Sequence, residues 1–333
     1  MVSVLVIRFP TGQKRLHRIV TVQHAEVIAE DLLRRRPDSC ERFLPRAGGT
    51  DSCNFRLSVG SERMLLTVKR RPNSPVGMYF HGRLQAARLP VPEAVAFGAR
   101  AGPHGEACAI WEWIDGTPAE WGGGEPCPYD EAEFGQLLRR VHSLRFDGPF
   151  GFLGDDPQQR TFSIPGLTPS SAEWASVFDC EGAARHYLAR GYLDSAEARL
   201  LASLPVRLED ELDCTSPRLL HMGDIMHTGN LLIAPDSGHI RAVLDYSESM
   251  AGDPRWELAW VRFYFADCAG TSPTFDLARF WAGYGAEYGA EDPLGRFYLA
   301  AILLFEKLRF YDPNTPRGRW AIATVRHILR SFA

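Results

Sequence analysis

Three side chains in the segment Leu219 to Tyr246, LLHMGDIMHTGNLLIAPDSGHIRAVLDY, have the types and spacing to handle a phosphoryl group. Asp224 follows an apolar, strand-like start, Asn230 comes six residues later just before a second apolar run, and Asp245 stands at the end of the next run. Moving a phosphoryl group onto a hydroxyl needs one carboxylate to orient the acceptor and take its proton. It also needs a carboxamide and a second carboxylate to hold Mg²⁺ against a nucleoside triphosphate. Asp and Asn supply the hard oxygen ligands that Mg²⁺ prefers. Any one of these residues alone fits an ordinary turn. Their order, with strands between them, is what points to this chemistry.

The elements that must position them are legible in outline. NLLIA and IRAVLDY, separated by the turn PDSG, read as a hairpin that carries Asn230 and Asp245 on one scaffold. Upstream, residues 21–36 have Val22, Ala25, Ile28, Ala29, Leu32 and Leu33 at helical spacing, with a Thr near the start and Pro37 beyond the end. FRLSVG and SERMLLTVK read as two strands joined by a Gly-Ser-Glu turn. Residues 77–89 fit a short helix, VPEAVAFG a strand, and ACAIWEWI a strand that ends at the turn signal Asp115-Gly116. From residue 130 the pattern is mainly helical, over 130–144, 173–203 and from about 255 onward, with a Gly- and Pro-rich loop at 147–172. The expectation is an α+β chain: an N-terminal lobe at 1–113 with an antiparallel sheet, and a larger, mainly helical lobe at 114–333. Residues 1–19 are an extension of uncertain structure.

Bulk properties exclude some classes. With 333 residues and 45% hydrophobic content the chain can build two cores. A net charge of -4 argues against tight binding to nucleic acid, which usually needs a basic face. No apolar run approaches the roughly 18 residues of a membrane span, and the N-terminus lacks the order of a secretory signal. The seven cysteines are scattered, with no CxxC pair, as expected for reduced thiols in a cytoplasmic protein. The oligomeric state is not readable.

The 219–260 region resembles the catalytic core of the aminoglycoside phosphotransferase and choline kinase-like superfamily, which reads H-G-D, a few residues, N, then a strand ending in Asp. The continuation DYSESMAGDPRWELAWV is similar to that superfamily's metal aspartate followed by G-D-x-x-x-E/D-L-A. Here and in LPVPEAVAFG the likeness is greatest to hygromycin B phosphotransferase-type antibiotic kinases. The resemblance implies a bilobal protein-kinase-like fold, Mg²⁺ as cofactor, and ATP or GTP as phosphate donor. It makes Asp224 the catalytic base and Asn230 and Asp245 the metal ligands.

The same resemblance extends to the N-terminal lobe. RAGGTDSCNFRL is similar to the family's phosphate-loop hairpin, which places Gly48, Gly49, Thr50, Asp51 and Ser52 at the phosphates. Lys69, at the end of MLLTVK, corresponds to the lysine that contacts the nucleotide, with Arg70 and Arg71 next to it. IWEWIDG looks like the hinge, where the backbone at Glu112, Trp113 and Ile114 would meet the purine edge. Acceptor contacts are expected from His227, Tyr246, Glu248, Asp253 and Glu257, although Asp253 before Pro254 also suits a helix cap.

Three departures stand out. His221 lies three residues before Asp224, with Met222 in its usual place, and the Asp224–Asn230 loop is one residue longer than the family pattern. The third is the missing helix acid: residues 77–89 contain none that could pair with Lys69. The leading expectation is an antibiotic O-phosphotransferase acting on an aminoglycoside or nucleoside-type compound. The alternatives are a metabolic kinase of a sugar, nucleoside or amino alcohol, and a catalytically dead nucleotide-binding protein.

Overall fold

The sequence alternates apolar and polar residues where the sheet forms and shifts to helical spacing where the helices begin. The computed structural model describes residues 20–44, 52–69, 75–98, 101–102, 105–119, 127–148, 150–152, 178–213, 215–221, 230–246, 249–265, 275–285, 288, 292–308 and 311–333. The chain divides into two compact units, one comprising Met1–Ser74 with Pro92–Asp115, the other Pro75–Val91 with Gly116–Ala333.

In the first unit, helix α1 (Val22–Leu33) starts at the N-cap Thr21, whose side chain accepts from the His24 amide while the His24 ring accepts from the Thr21 amide. It ends where Arg34 turns left-handed, at φ 57°. Its buried Ala25, Ile28 and Ala29 lie in one core with a five-stranded antiparallel sheet of order β1-β2-β3-β5-β4. The strands are β1 (Ser39–Phe43), β2 (Ser52–Val59), β3 (Glu62–Lys69), β4 (Ala94–Gly98) and β5 (Ala107–Glu112). Alternation along β2 buries Cys53, Phe55, Leu57 and Val59, which share the core with Met64, Leu66 and Val68 of β3 and Ile110 of β5. The β2–β3 turn needs a left-handed residue, and Gly60 supplies it at φ 63°.

The second unit begins with α2 (Pro75–Ala86), whose Phe80 and Leu84 join a core with Phe134, Leu138, Leu231, Val243 and Phe280. That segment therefore packs with the later residues, although it lies inside the 1–113 span. Helix α3 (Glu131–His142), capped by Asp130, crosses α8 (Leu277–Tyr284) at close range. Glycines permit the approach: a Cβ at Gly283 would sit 2.0 Å from the Ala132 carbonyl oxygen, and one at Gly135 2.3 Å from that of Phe280. Between them in sequence come α4 (Cys180–Ala189), α5 (Ser195–Arg207), α6 (Glu209–Asp213) and α7 (Pro254–Phe265). The chain ends with α9 (Pro293–Ala301), a π-helical turn at Ile302–Lys307, and α10 (Pro316–Arg330). Their second apolar core gathers Leu201, Trp256, Phe297, Tyr298 and Val325.

Two small sheets serve the site. One has the order β10-β9-β6, built from β6 (Thr117–Pro118), β9 (Leu231–Ile233) and β10 (Ile240–Val243). The other has the order β7-β11-β8, built from β7 (Gly151–Phe152), β8 (Arg218–Leu220) and β11 (Met250–Gly252). The expected β9–β10 hairpin is present, while β1, β6, β7 and β11 are additions to the sequence reading.

Candidate active site

The β9–β10 hairpin brings two of the three chemistry-bearing residues together. Leu231 pairs with Val243 at the end of the ladder, and both side chains are buried in the core. One step further the Leu244 amide donates to the Asn230 carbonyl at 2.7 Å. Asn230 and Asp245 therefore leave the same end of the hairpin, anchored by apolar neighbours on the inner side. Asn230 is half-buried and Asp245 exposed. Asp245 adopts a left-handed backbone, φ 52°, which asparagine and aspartate tolerate better than other side-chain-bearing residues. Such a conformation persists only where its surroundings hold it.

His221, at the end of β8, supplies part of that hold. It is 1% exposed, and since a carbonyl can only accept, its Nε2–H donates to the Leu244 carbonyl at 2.8 Å. The displaced histidine of the family motif thus supports the backbone immediately before Asp245. Its own amide donates to Glu257 Oε2 at 3.1 Å. The same oxygen lies 2.9 Å from His142 Nε2, and His142 Nδ1 lies 2.9 Å from the Tyr284 hydroxyl. His142 sits on the buried face of α3 beside Val141 and one turn after Leu138, the position at which helical spacing could have singled it out.

Three of the expected acceptor contacts are placed differently. Glu257 is 0% exposed and accepts from the His221 amide and the His142 ring, so it is an internal support and not a ligand for a substrate. Asp253 is likewise 0% exposed. Its Oδ1 caps α7 by accepting from the Arg255 amide at 2.9 Å, and both its oxygens accept from Arg255 Nε, at 2.9 and 3.0 Å. The Tyr298 hydroxyl adds a further bond at 3.2 Å. Burial pulls the Arg255 pKa down, but the charge and hydrogen bonds of Asp253, together with Asp292 and Tyr298, outweigh it and the net shift is upward. Tyr246 is buried beside the rings of Phe80, His81 and His221, with its hydroxyl donating inward to the Val243 carbonyl. Burial, followed by the charge of Asp245, pushes its pKa well above the ordinary value.

In the first unit, Lys69 ends β3 in register with Ser52 on one side and Ala107 on the other. The half-buried Lys69 and Ser52, the last residue of the expected phosphate loop, are therefore cross-strand neighbours. Two amides of the expected hinge already have backbone partners. The Glu112 amide donates to the Glu93 carbonyl at 2.9 Å and the Trp113 amide to the Arg63 carbonyl at 3.2 Å. Those two N–H groups are committed within the first unit. The Trp113 ring is packing, edge-on to Phe43, with its Nε1 donating to Asp115. Helix α2 bears no acid, as the sequence indicated. Gly48, Gly49, Thr50, Asp51, Asp224, His227 and Glu248 lie outside the described residues.

The donor set suits Mg²⁺: one carboxamide and one carboxylate at a fixed hairpin end are hard oxygen ligands of the kind this ion takes alongside phosphate oxygens. Among the described residues no cluster of three His, Cys, Asp or Glu side chains is gathered for a metal. No helix among those residues is long and apolar enough to cross a membrane. Burial pushes the thiols of Cys40 to about 11 and of Cys108, Cys127 and Cys180 to about 12.

This arrangement defines the class. Residues 42–294 match the phosphotransferase enzyme family, APH, and the chain belongs to it. Its fold is the bilobal, protein-kinase-like α+β fold of that family. Among solved structures the chain is similar to one from Thermobifida fusca assigned as a fructosamine-3-kinase, with 18% identity, 93% of this chain and 100% of that one covered, and a TM-score of 0.56. It is similar to aminoglycoside phosphotransferase APH(4)-Ia, with 19% identity, 94% and 100% covered, and a TM-score of 0.54. A thermostable mutant of the latter, in ternary complex with AMP-PNP and hygromycin B, aligns at 21% identity over 89% of this chain and 95% of that one, TM-score 0.51. At such identities these likenesses concern the fold. No curated protein sequence gave a match.

Proposed function

We propose that this phosphotransferase moves the γ-phosphate of ATP or GTP to a hydroxyl of an antibiotic of aminoglycoside or nucleoside type, inactivating it. The observation that carries the reading is the hairpin end at which Asn230 and Asp245 emerge together, in a chain of the APH family. Transfer is direct and in line. Asp224 orients the acceptor hydroxyl and takes its proton as the oxygen bonds to the γ-phosphorus and the bond to the departing nucleoside diphosphate breaks. Asn230 and Asp245 hold Mg²⁺, which when bound offsets charge on the β- and γ-phosphates. Lys69 and the backbone at 48–52 steady the triphosphate, and the Ile114 amide meets the base. His227 and Glu248, each three residues after one of the two aspartates, contact the acceptor. A phosphate adds about −1.5 to −2 charge at neutral pH, enough to disrupt a drug's fit to its target.

The test is Mg²⁺-dependent nucleotide consumption across aminoglycoside, nucleoside and peptide antibiotics, with the mass of each product read alongside. One added phosphate on a single compound class supports the reading. Turnover confined to sugars, nucleosides or amino alcohols would instead make the chain a metabolic kinase.

A further inference from the structure

Five arginines meet where the C-terminal ends of α2 and α3 come together in the second unit. Arg140, in the last turn of α3, donates from Nη2 to the Ala87 and Arg88 carbonyls just beyond α2, at 3.2 and 2.6 Å. Arg83 of α2 reaches the other way. It donates to the Arg145 carbonyl at 2.9 Å and to the Tyr79 hydroxyl at 2.7 Å. Arg145 pairs through an isolated antiparallel bridge with Arg218 of β8, and Arg218 Nη1 lies 3.5 Å from the carbonyl of Ser143, the C-cap of α3. Arg88, Arg140 and Arg145 are exposed, and Arg83 and Arg218 half-buried. Carbonyls at helix ends lack partners within the helix, so Arg83, Arg140 and Arg218 have a capping task there. A helix end carries only about half a negative charge, which leaves most of the positive charge in place. The side chains of Arg88 and Arg145 have no hydrogen bond or ion pair among the described residues, and none of the five is in an ion pair there. Other arginines are matched to acids, as Arg35 is to Glu62, Arg56 to Glu41 and Arg279 to Asp130. In a chain of net charge -4, five guanidinium groups held together without a carboxylate are a local reversal of sign.

We propose that the cluster of Arg83, Arg88, Arg140, Arg145 and Arg218 is a binding site for a short chain of phosphate groups, the chemistry shared by inorganic polyphosphate and the tail of a free nucleotide. Guanidinium groups bind phosphate oxygens through paired, charge-assisted hydrogen bonds. Here Arg88 and Arg145 are the two with donors to give. Each stands at a carbonyl that another arginine of the cluster holds, so the backbone beneath them is already fixed. The span is compact, two helix ends and one strand start, which suits a small polyanion. A nucleic acid needs a longer basic stripe on a basic chain. The site lies wholly in the second unit and uses none of the residues assigned to phosphoryl transfer, so it stands apart from the proposed activity.

The experiment titrates inorganic tripolyphosphate, and separately AMP-PNP, into the full chain by calorimetry with metal chelated. Wild type is compared with two double variants of equal charge change. One is Arg88→Gln with Arg145→Gln. The other, a control remote in sequence, is Arg34→Gln with Arg185→Gln, whose side chains make exposed ion pairs with Asp31 and Glu181. A charge-assisted hydrogen bond contributes about tenfold in affinity or more. Tripolyphosphate binding is therefore expected to weaken by about tenfold or more in the first variant and to stay as wild type in the control. Because the Arg88 and Arg145 side chains hold nothing else, the melting temperature should not move. If the double variant does not fold, Arg88→Gln and Arg145→Gln singly carry the test, each with a smaller loss. AMP-PNP separates the two sources. One equivalent of it lost in the first variant points to a nucleotide tail, and an isotherm equal to wild type, with tripolyphosphate binding lost, points to inorganic polyphosphate. The proposal is overturned if wild type binds no tripolyphosphate, or if the first variant binds it as wild type does, which would place the anion elsewhere. Equal weakening in both double variants also overturns it, since net charge and no particular site would then be responsible.

Discussion

Removing the carboxylate of Asp253 distinguishes a structural acid from an acceptor contact. Asp253 is wholly buried and holds Arg255 through two oxygens, and the Arg255 side chain is only 9% exposed. After Asp253→Ala the guanidinium would keep Asp292 at 3.7 Å and the Thr215 hydroxyl at 2.6 Å. The first is too long for a good hydrogen bond and the second carries no charge. Breaking one side of a buried ion pair costs about 3–5 kcal/mol, and the lost α7 cap is about 1 kcal/mol of the same effect. For a unit of this size each kcal/mol lowers the melting temperature by about 2–4 °C, so a fall of about 6–20 °C is expected in calorimetry. Asp253→Ala with Arg255→Ala should recover part of the loss, since no buried charge is then left unpaired. An unchanged melting temperature for Asp253→Ala, with weaker acceptor binding, would refute this reasoning and return Asp253 to the substrate site.

Two further outcomes follow from the packing. Gly283→Ala places a methyl 2.0 Å from the Ala132 carbonyl oxygen, backbone that cannot swing aside, so the α3–α8 crossing must open. A destabilisation of about 1–3 kcal/mol is expected by denaturant titration, and a midpoint equal to wild type would count against the crossing. The thiols of Cys108, Cys127 and Cys180, pushed up to about 12 by burial, exist as thiols at neutral pH. Thiolate is the reactive form, so alkylation of these three in the native protein should be slow at pH 8 and speed up on unfolding, and rapid native labelling at Cys108 or Cys180 would contradict their burial.

The sequence carried the long, periodic parts of the fold well. β2 and β3 alternate over eight residues each, and α3 shows Phe134, Leu137, Leu138 and Val141 on one face, so periodicity alone delimits them. β6 and β7 have two residues each and β11 three, too short for any period to register. Their pairing is set by the elements that press them together. The hairpin under Asn230 and Asp245 was legible because a turn separates two apolar runs. The roles of Asp253 and Glu257 were not, since a carboxylate facing substrate and one holding a buried arginine or histidine look alike until the core closes round them. The hinge shows the same limit. Its strand was readable, but which amides the neighbouring strand and the Glu93 segment would claim depended on register.

The measurement that bears most directly on the kinase reading compares wild type with Asp224→Ala for two properties, Mg²⁺–nucleotide binding by calorimetry and phosphorylated product by mass. The account predicts that the variant binds nucleotide within about twofold of wild type and yields no product, because the carboxylate serves the acceptor and not the donor. Product formation by Asp224→Ala at a rate near wild type would contradict the assignment of the base.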